Sequence, residues 1–513
     1  MVAIILVALS LGSCRKQLDY TPEVFLSAQQ VYKDQAGATA GVTGIYRQLQ
    51  ILKQSDYALI GIIGTDEARC TYQSQGYGAY WAGVTGLDVY DIQFNSQNAD
   101  VKGYWTVSYQ GIGNANSAIQ YIPQIKGFSD VSVQQRLLGE AHFMRALFYF
   151  QLVQLFGDIP LRLENMSVSD GVPRTPQAKV YEQIIADLKF AVANCWIKSK
   201  NPDPGRASVE AAKALLGKVY LTQHDYQNAK ATLEDLIQTG NPTLLTNYAD
   251  LFDGKHENNA ESLFEIQYAT DAGNSQSLQN LFGSYAGPPI AGETFDKHTP
   301  GYGGTVVMAT SFYSDSVFNK IIDKRYLASI NHDRYDSNGA TMGWWVDPGL
   351  PTVKKYDISN ADVDAYTSGK NLYVLRAADV FLMYAEVLNE LSQTGAALAP
   401  LNKIRNRAGL PNLETSLGGA PTQAVLRNEL LDERSRELGC EGWRWFDLKR
   451  TNTLVQRVMR YNNPKADFMK KNNASSDPHP AQNVTQKNNL YPIPLSELQN
   501  NLSLNLNSQN PGY

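Results

Sequence analysis

One helical hairpin restricts the fold of this chain more than any other feature of the sequence. It runs from Ala211 to Pro242, with Asp225 placed to cap its second helix and Gly240 placed to end it. Six residues follow the tetratricopeptide pattern L-G-x2-Y…A-x3-F…P, with leucine for phenylalanine and the proline one place late: Leu216, Gly217, Tyr220, Ala229, Leu233 and Pro242. An ordinary helical hairpin is the alternative for this unit alone. A tetratricopeptide unit cannot bury its own apolar face, so the pattern predicts further stacked pairs.

Three other parts of the chain have weaker helical patterns. Ala378–Ile404 is a fainter copy of the same unit. Tyr104–Ile122 and Val131–Phe156 can form a second helical pair, and Val180–Cys195 can pack beside the strong unit. Four pairs are enough to bury a continuous core. We therefore predict a mostly α protein, in which tetratricopeptide-like hairpins form a right-handed superhelix packed against a large, irregular, loop-rich half with a few short strands.

The segments between the helical pairs are rich in Gly, Asn, Asp, Ser and Tyr and have few long apolar periods. Among them, only SLFEIQYA at residues 262–269 alternates well enough to predict a short strand. Long loops in compact proteins are usually functional, so we expect ligand recognition on this irregular half. The predicted body, residues 14–513, divides into helical pairs at about 30–55, 104–156, 179–240 and 372–460, and irregular segments at about 55–103, 241–371 and 461–489.

Residues 426–450, which read LRNELLDERSRELGCEGWRWFDLKR, alternate dense charge with aromatic rings. Glutamates recur every fourth residue along one side of the expected helix, at Glu429, Glu433, Glu437 and Glu441. Like charges at this spacing repel unless cations pair with them, and the candidates within the segment are Arg434, Arg436, Arg444 and Lys449. We predict a structural ion-pair network that braces two helices, made of Glu433, Arg434, Glu437, Glu441, Arg444 and Asp447. A catalytic or ligand site is the alternative.

The same segment resembles the C-terminal signature of the SusD/RagB family of outer-membrane nutrient-binding lipoproteins, ER-x-x-EL-x-x-EG-x-R-x-x-DLKR. Other segments similar to the family are RAADVFLMYAEVLNE, LNKIRNRAGL, LYPIPLSEL, QNPGY and, earlier, YWTVSYQGIGNANSAI and GEAHFMRALFYFQLVQLFGDIPL. The resemblance covers nearly the whole chain and is weakest at about 240–370. It implies a protein that captures glycan and passes it to a SusC-like TonB-dependent transporter, over whose barrel it moves as a lid.

The amino terminus indicates a lipid anchor. Val2–Leu11 is apolar apart from Ser10 and is too short for the roughly 20 residues that a membrane-spanning helix needs, so residues 1–13 read as a signal peptide. The small residues before Cys14 resemble a bacterial lipobox, in which the cysteine thiol takes a diacylglycerol. The folded body would then be tethered to the outer membrane, facing the cell exterior.

Charge and spacing argue against several other functions. A net charge of -5 without a basic stripe argues against a nucleic-acid partner. The 6 histidines lie far apart, and no phosphate loop, dinucleotide fingerprint or nucleophile elbow is present, so we expect no metal or cofactor. That the chain has no catalytic residue is implied by the family resemblance. Apart from Cys14, only Cys70, Cys195 and Cys440 remain, which allows at most one disulfide and favours a buried free thiol for at least one.

Aromatic residues in the irregular segments give the main signal for ligand binding. The chain has 29 Tyr and 7 Trp, and flat rings suit the axial hydrogens of a sugar. The candidates for glycan contact are Tyr77, Tyr80, Trp81, Tyr302, Trp344 and Trp345, with Arg69 as a donor to hydroxyls. Each ring can instead anchor a loop, and Asp66 and Glu67 can be ligands or purely structural. Trp105, on an expected helix, fits the core.

The leading hypothesis is a cell-surface lipoprotein that binds oligosaccharide or polysaccharide and is not an enzyme. A surface carbohydrate-active hydrolase is the first alternative, because such enzymes need only two well-placed carboxylates and no short motif. A tetratricopeptide-type scaffold for protein interactions is the second.

Overall fold

A computed structural model describes residues 27–70, 82–165, 171–271, 273–283, 303–304, 306–331, 351–357, 364–460 and 483–513. We label its ten main helices α1 Gln35–Lys53, α2 Ala99–Tyr121, α3 Val131–Phe156, α4 Gln177–Asn194, α5 Val209–Thr222, α6 Tyr226–Gly240, α7 Ala377–Glu390, α8 Thr394–Arg407, α9 Gln423–Leu438 and α10 Arg444–Arg450. The other α-helices of the described residues are Ala28–Val31, Ala82–Val89, Leu278–Phe282, Tyr326–Ser329, Leu413–Leu417, Leu454–Met459 and Leu495–Asn500. Single turns of 3-10 or π helix are Asp56–Leu59, Ile122–Gln124, Lys198–Lys200, Tyr248–Phe252, Phe312–Ser316, Lys354–Tyr356, Gln486–Asn489 and Leu506–Ser508.

The main helices pack in sequence order. α1 contacts α2, and each helix from α2 to α6 contacts the next one along the chain. α6 then contacts α7, which packs against both α8 and α9. At the centre, α3 is buried on every side from Arg136 to Phe156. The predicted mostly helical fold with tetratricopeptide-like hairpins is confirmed, and none of the described helices is both long enough and apolar enough to cross a membrane.

The α5–α6 hairpin shows why the sequence pattern holds. A methyl group at Gly217 would lie 2.5 Å from the Leu233 side chain, so the small residue sets how closely the two helices approach. The Asp225 side chain caps α6 by accepting a hydrogen bond from the backbone N–H of Asn228. α6 ends at Gly240, but the left-handed residue that terminates it is Asn241, with φ of 42°.

Eight short strands form four antiparallel pairs in the described part of the chain. They are β1 Ala68–Cys70, β2 Ile159–Pro160, β3 Arg174–Thr175, β4 Ser262–Ile266, β5 Val307–Ala309, β6 Ile330–Asn331, β7 Thr352–Val353 and β8 Leu372–Arg376. The pairs are β1 with β5, β2 with β3, β4 with β8 and β6 with β7. The strand predicted at 262–269 is β4. Its partner β8 was not predicted, because the sequence LYVLR has no polar alternation and leads directly into α7.

Candidate functional site

Most of the sequence-predicted ligand candidates lie outside the described residues, and so does the lipidation candidate Cys14. Those candidates are Tyr77, Tyr80, Trp81, Tyr302, Trp344 and Trp345. Arg69 is described: it is half-buried in β1, opposite Met308 of β5. Trp105, expected in the core, is buried in α2.

The described residues that flank the three aromatic segments lie next to one another. Cys70, which precedes residues 71–81, pairs with Val307 of β5, which follows residues 284–302. In the same strand, the N–H of Ala309 donates to the carbonyl oxygen of Pro351 at 2.9 Å, and Pro351 follows residues 332–350. β6 and β7, on either side of that last segment, pair with each other. The chain therefore enters or leaves all three aromatic segments within one small group of strands.

Arg444, at the start of α10, binds the two acids that precede β1. Its Nε and Nη2 atoms donate to the two carboxylate oxygens of Asp66, each at 2.6 Å, and Glu67 lies 3.5 Å away. Asp66 and Glu67 are completely buried. The structure therefore places both acids in a structural pairing and gives neither one access to a ligand.

Glu433 is the first acid of the network in α9, and it is completely buried. It forms ion pairs with Arg325 at 2.7 Å, Arg436 at 2.8 Å and Arg405 at 3.4 Å. Burial alone would raise its pKa, but the three guanidinium groups outweigh burial and hold the pKa of Glu433 at about 2.

Glu437, one turn further along α9, is surrounded by cations from outside its own helix. It pairs with Arg376 at 2.6 Å, with Arg325 at 3.1 Å and with Arg407. Burial opposes these cations, yet together they lower the pKa of Glu437 below its ordinary value. Glu437 therefore stays charged in the interior.

Glu441 and Asp447 complete the network beyond the end of α9. Glu441 pairs with Arg376 at 2.9 Å and with Lys355 at 2.8 Å. Asp447 pairs with Arg434 and Arg450, each at 2.8 Å. All of these acids are paired with cations; Glu433, Glu437 and Asp447 are buried and Glu441 is half-buried, which is the arrangement of a structural network.

Two families of known sequences match this chain. The family described as "SusD family" matches residues 330–513, and the family described as "Starch-binding associating with outer membrane" matches residues 64–221. The SusD-like protein P2 of Formosa agariphila is 28% identical over 100% of this chain and 99% of its own length. The starch-binding protein SusD of Bacteroides thetaiotaomicron is 24% identical over 77% of this chain and 75% of its own length.

Solved structures agree with these matches. A laminarin-binding SusD-like protein superposes with a TM-score of 0.75 at 26% identity, covering 94% of this chain and 100% of the other. A SusD homolog from Bacteroides thetaiotaomicron superposes with a TM-score of 0.78 at 22% identity, covering 96% and 100%. This chain belongs to the SusD/RagB family.

The signature of this SusD/RagB protein differs from the sequence prediction in three respects. α9 ends at Leu438, so Glu441 lies beyond it and the glutamates do not form one continuous helical stripe. Lys449 has no ion pair with any acid in the described residues; it donates instead to the backbone oxygen of Gln154, and burial lowers its pKa to about 7. Most of the counter-charge comes from outside the signature, from residues that the local pattern does not reveal: Arg325, Lys355, Arg376, Arg405 and Arg407.

The pairing of Glu67 in the SusD/RagB protein predicts a dependence of stability on pH. Burial raises the pKa of Glu67 from 4.5 to about 7, against the lowering influence of Arg444. The folded state thus keeps a proton that the unfolded state has lost between about pH 4.5 and 7, so the stability from this group is complete at low pH and disappears as the pH rises through 7.

Glu67→Gln should therefore remove this loss, because the amide is neutral and can still accept the hydrogen bond from the N–H of Cys440, 2.8 Å from Glu67. The difference in unfolding free energy between the variant and the unmodified protein should shift in favour of the variant by about 2 to 3 kcal/mol as the pH rises from 5 to 8. Urea unfolding at several pH values measures the difference. A difference in unfolding free energy that stays constant with pH would contradict the role assigned to the Glu67 carboxyl.

Two other kinds of potentially reactive group occur in the described residues: one cluster of possible metal ligands, and three cysteines. Asp250, Asp253 and His256 place ligand atoms within 4.8 Å of one another, but His256 is exposed and its Nδ1 already bonds Asp253 at 2.8 Å. Sequence spacing did not reveal this group, and nothing further at its position indicates a metal. Cys70, Cys195 and Cys440 are all buried, and Cys195 and Cys440 are free thiols, as expected for at least one of the three.

Proposed function

We propose that this SusD/RagB protein is a cell-surface glycan-binding lipoprotein, anchored in the outer membrane through Cys14. It binds oligosaccharide or polysaccharide and delivers it to a SusC-like TonB-dependent transporter. The matches to a starch-binding protein, to a laminarin-binding protein and to a family that associates with the outer membrane support the ligand class and the location.

One structural observation supports the position of the binding site. The strands β1, β5, β6 and β7 bring together the ends of the three segments that carry the candidate rings. A single ring contributes only about 1 kcal/mol beyond the area that it buries, so useful affinity needs several rings close together. Because the residues that flank the three segments are neighbours in space, rings from all three segments can reach one ligand. Segments that began and ended far apart could not bring their rings together in this way.

Substitution of Trp81 tests the proposed site. Trp81→Ala should weaken retention on a glycan affinity gel about tenfold or more, since one stacked ring and its buried area are lost. Its melting temperature should stay close to that of the unmodified protein. Tyr226→Ala, at the start of α6 on the helical side, is the matched control and should bind normally. Unaltered binding by Trp81→Ala would remove this residue from the site.

Delivery and catalysis are tested separately. Under the proposal, a glycan array retains the purified protein, the glycan is recovered intact, and the membrane form co-purifies with a TonB-dependent transporter. Release of shorter sugars, abolished by changing one Asp or Glu, would support a hydrolase instead. Failure to retain any glycan would favour the protein-interaction scaffold.

A further inference from the structure

A cleft beside α1 is lined by described residues that do not belong to β1, β5, β6 or β7, the strands at the ends of the aromatic segments. Its volume is about 570 Å3, which is within the usual range for small-ligand sites. One wall is a face of α1 whose residues recur every three or four positions: Thr39, Thr43, Tyr46, Arg47 and Gln50. The opposite wall is formed by the 203–206 loop and by β4 with Gln267 just beyond it. We call this space the α1 cleft.

The walls of the α1 cleft are held in place by a buried acid. Glu140, completely buried, accepts hydrogen bonds at 2.9 Å from Arg206 of the loop and from the hydroxyl of Tyr46 on α1. Arg206 also donates to the hydroxyl of Thr43 at 2.9 Å. The loop and the helix therefore share one anchor and keep their spacing without a ligand.

The 203–206 loop is also fixed against β4. Gly205 has a φ of +81°, and a methyl group there would overlap the side chain of Gln267. Gln267 is held in turn by hydrogen bonds with Asn258, at 2.8 and 3.1 Å. Only glycine allows this approach, so the loop is a rigid wall of the cleft.

Arg47 differs from the other cation of the cleft because no acid in the described residues forms an ion pair with it. Arg206 is neutralised by Glu140 and by Asp203, at 2.9 and 3.2 Å. Arg47 donates one hydrogen bond, to Gln50 at 3.1 Å, and forms no ion pair with an acid in the described part of the chain. A guanidinium has five N–H donors, arranged to bind a carboxylate or sulfate with two of them. The open donors of Arg47 thus suit an anion inside the cleft.

We propose that the α1 cleft is a second carbohydrate site, which takes a sugar residue bearing a carboxylate or a sulfate. Arg47 binds the anionic group. The Thr39 hydroxyl donates to the backbone oxygen of Gln35 at 2.9 Å and can still accept a hydrogen bond from a sugar hydroxyl. Phe264 and Ile266, which are almost fully buried, close the cleft on the β4 side. This inference rests on the proposed glycan-binding function, and it adds a preference for acidic glycans.

Calorimetric titration in about 150 mM salt tests the proposal, since long-range attraction is then largely screened. The probes are trigalacturonate, its methyl ester and a sulfated galactotriose. At least one anionic probe should bind the unmodified protein ten times more tightly than the ester, and the tighter one identifies the anion. Equal affinity for all three probes would overturn the proposal.

Three variants locate the effect. Arg47→Met should bind the anionic probe no better than the ester, whereas Thr39→Trp should fill the cleft and remove binding of both. Arg427→Met is the matched control: its guanidinium is exposed and pairs with Glu390 outside the cleft, so the preference should remain. If the preference survives in Arg47→Met, or if it disappears in Arg427→Met as well, the assignment to this cleft is wrong.

The same titrations separate this inference from the proposed function. Trp81→Ala should keep the anionic preference, because that preference depends on the guanidinium of Arg47. Neutral glycan retention that depends on Trp81, together with no anionic preference, would overturn only the second site. An anionic preference that depends on Arg47, with no glycan retained through Trp81, would overturn only the position proposed for the first.

Discussion

Arg444→Ala is expected to lower the free energy of unfolding by about 3 to 5 kcal/mol, because it leaves a buried carboxylate without its cation. Asp66 is completely buried and would lose both of its 2.6 Å hydrogen bonds. The third hydrogen bond of Arg444, which it donates to the backbone oxygen of Leu431 at 2.7 Å, would be lost as well. Urea unfolding at pH 7 measures the loss.

Two comparisons show whether burial causes the effect. Arg427→Ala removes an ion pair of similar length, 2.7 Å to Glu390, but 48% of the Arg427 side chain is exposed, so the cost should be at most about 1 kcal/mol. The double variant Arg444→Ala with Asp66→Asn should recover part of the loss, because no unpaired charge stays buried. If Arg444→Ala and Arg427→Ala cost the same, the burial argument fails.

The helical half of the fold could be predicted because its determinants are local in sequence. Gly217 and Leu233 belong to one hairpin, and their spacing alone places them at the helix crossing. α3 is buried on nearly every side, and its high content of apolar residues from Phe143 to Phe156 is typical of such a buried helix. Tertiary packing confirms what these local patterns predict.

The strands and the ion pairs could not be predicted in the same way, because their partners are far apart along the chain. Ala68 pairs with Ala309 across two strands of three residues, which are too short to show a period. Glu433 finds Arg325 at a separation of 108 residues. Charge composition shows that cations are available, but only the fold shows which of them reach a given acid.

The sequence composition predicted which segments could bind a ligand, but not how those segments are arranged in space. Rings among glycines indicate which segments bear the candidates, but the neighbouring positions of Cys70, Val307 and Pro351 depend on strand pairing that no local pattern contains. The α1 cleft gave no sequence signal, because Arg47 looks like any other surface arginine of a helix. Its distinction is the absence of an acidic partner within the described residues, which is a property of the folded chain.

Acid should destabilise this protein strongly below about pH 4.5, through the carboxylates of the α9 network. The folded-state pKa of Glu433 is about 2, against 4.5 for an ordinary glutamate. The unfolded state therefore binds a proton first as the pH falls, and stability that is complete above 4.5 is lost as the pH falls through 2. Glu433 alone accounts for about 3 kcal/mol, and Glu437 and Asp447, whose pKa values are also lowered, add to it.

Glu433→Gln isolates this contribution, because glutamine resembles the protonated acid. The variant should be less stable than the unmodified protein by about 3 kcal/mol at pH 6, and the gap should fall to about half of that by pH 3. Glu182→Gln is the matched control: Glu182 pairs with Lys179 on the surface, where 64% of its side chain is exposed, so the substitution should cost at most about 1 kcal/mol. Urea unfolding of all three proteins from pH 6 to pH 3 measures the gap. A gap for Glu433→Gln that is as large at pH 3 as at pH 6 would show that lost packing, and not lost charge, explains the destabilisation.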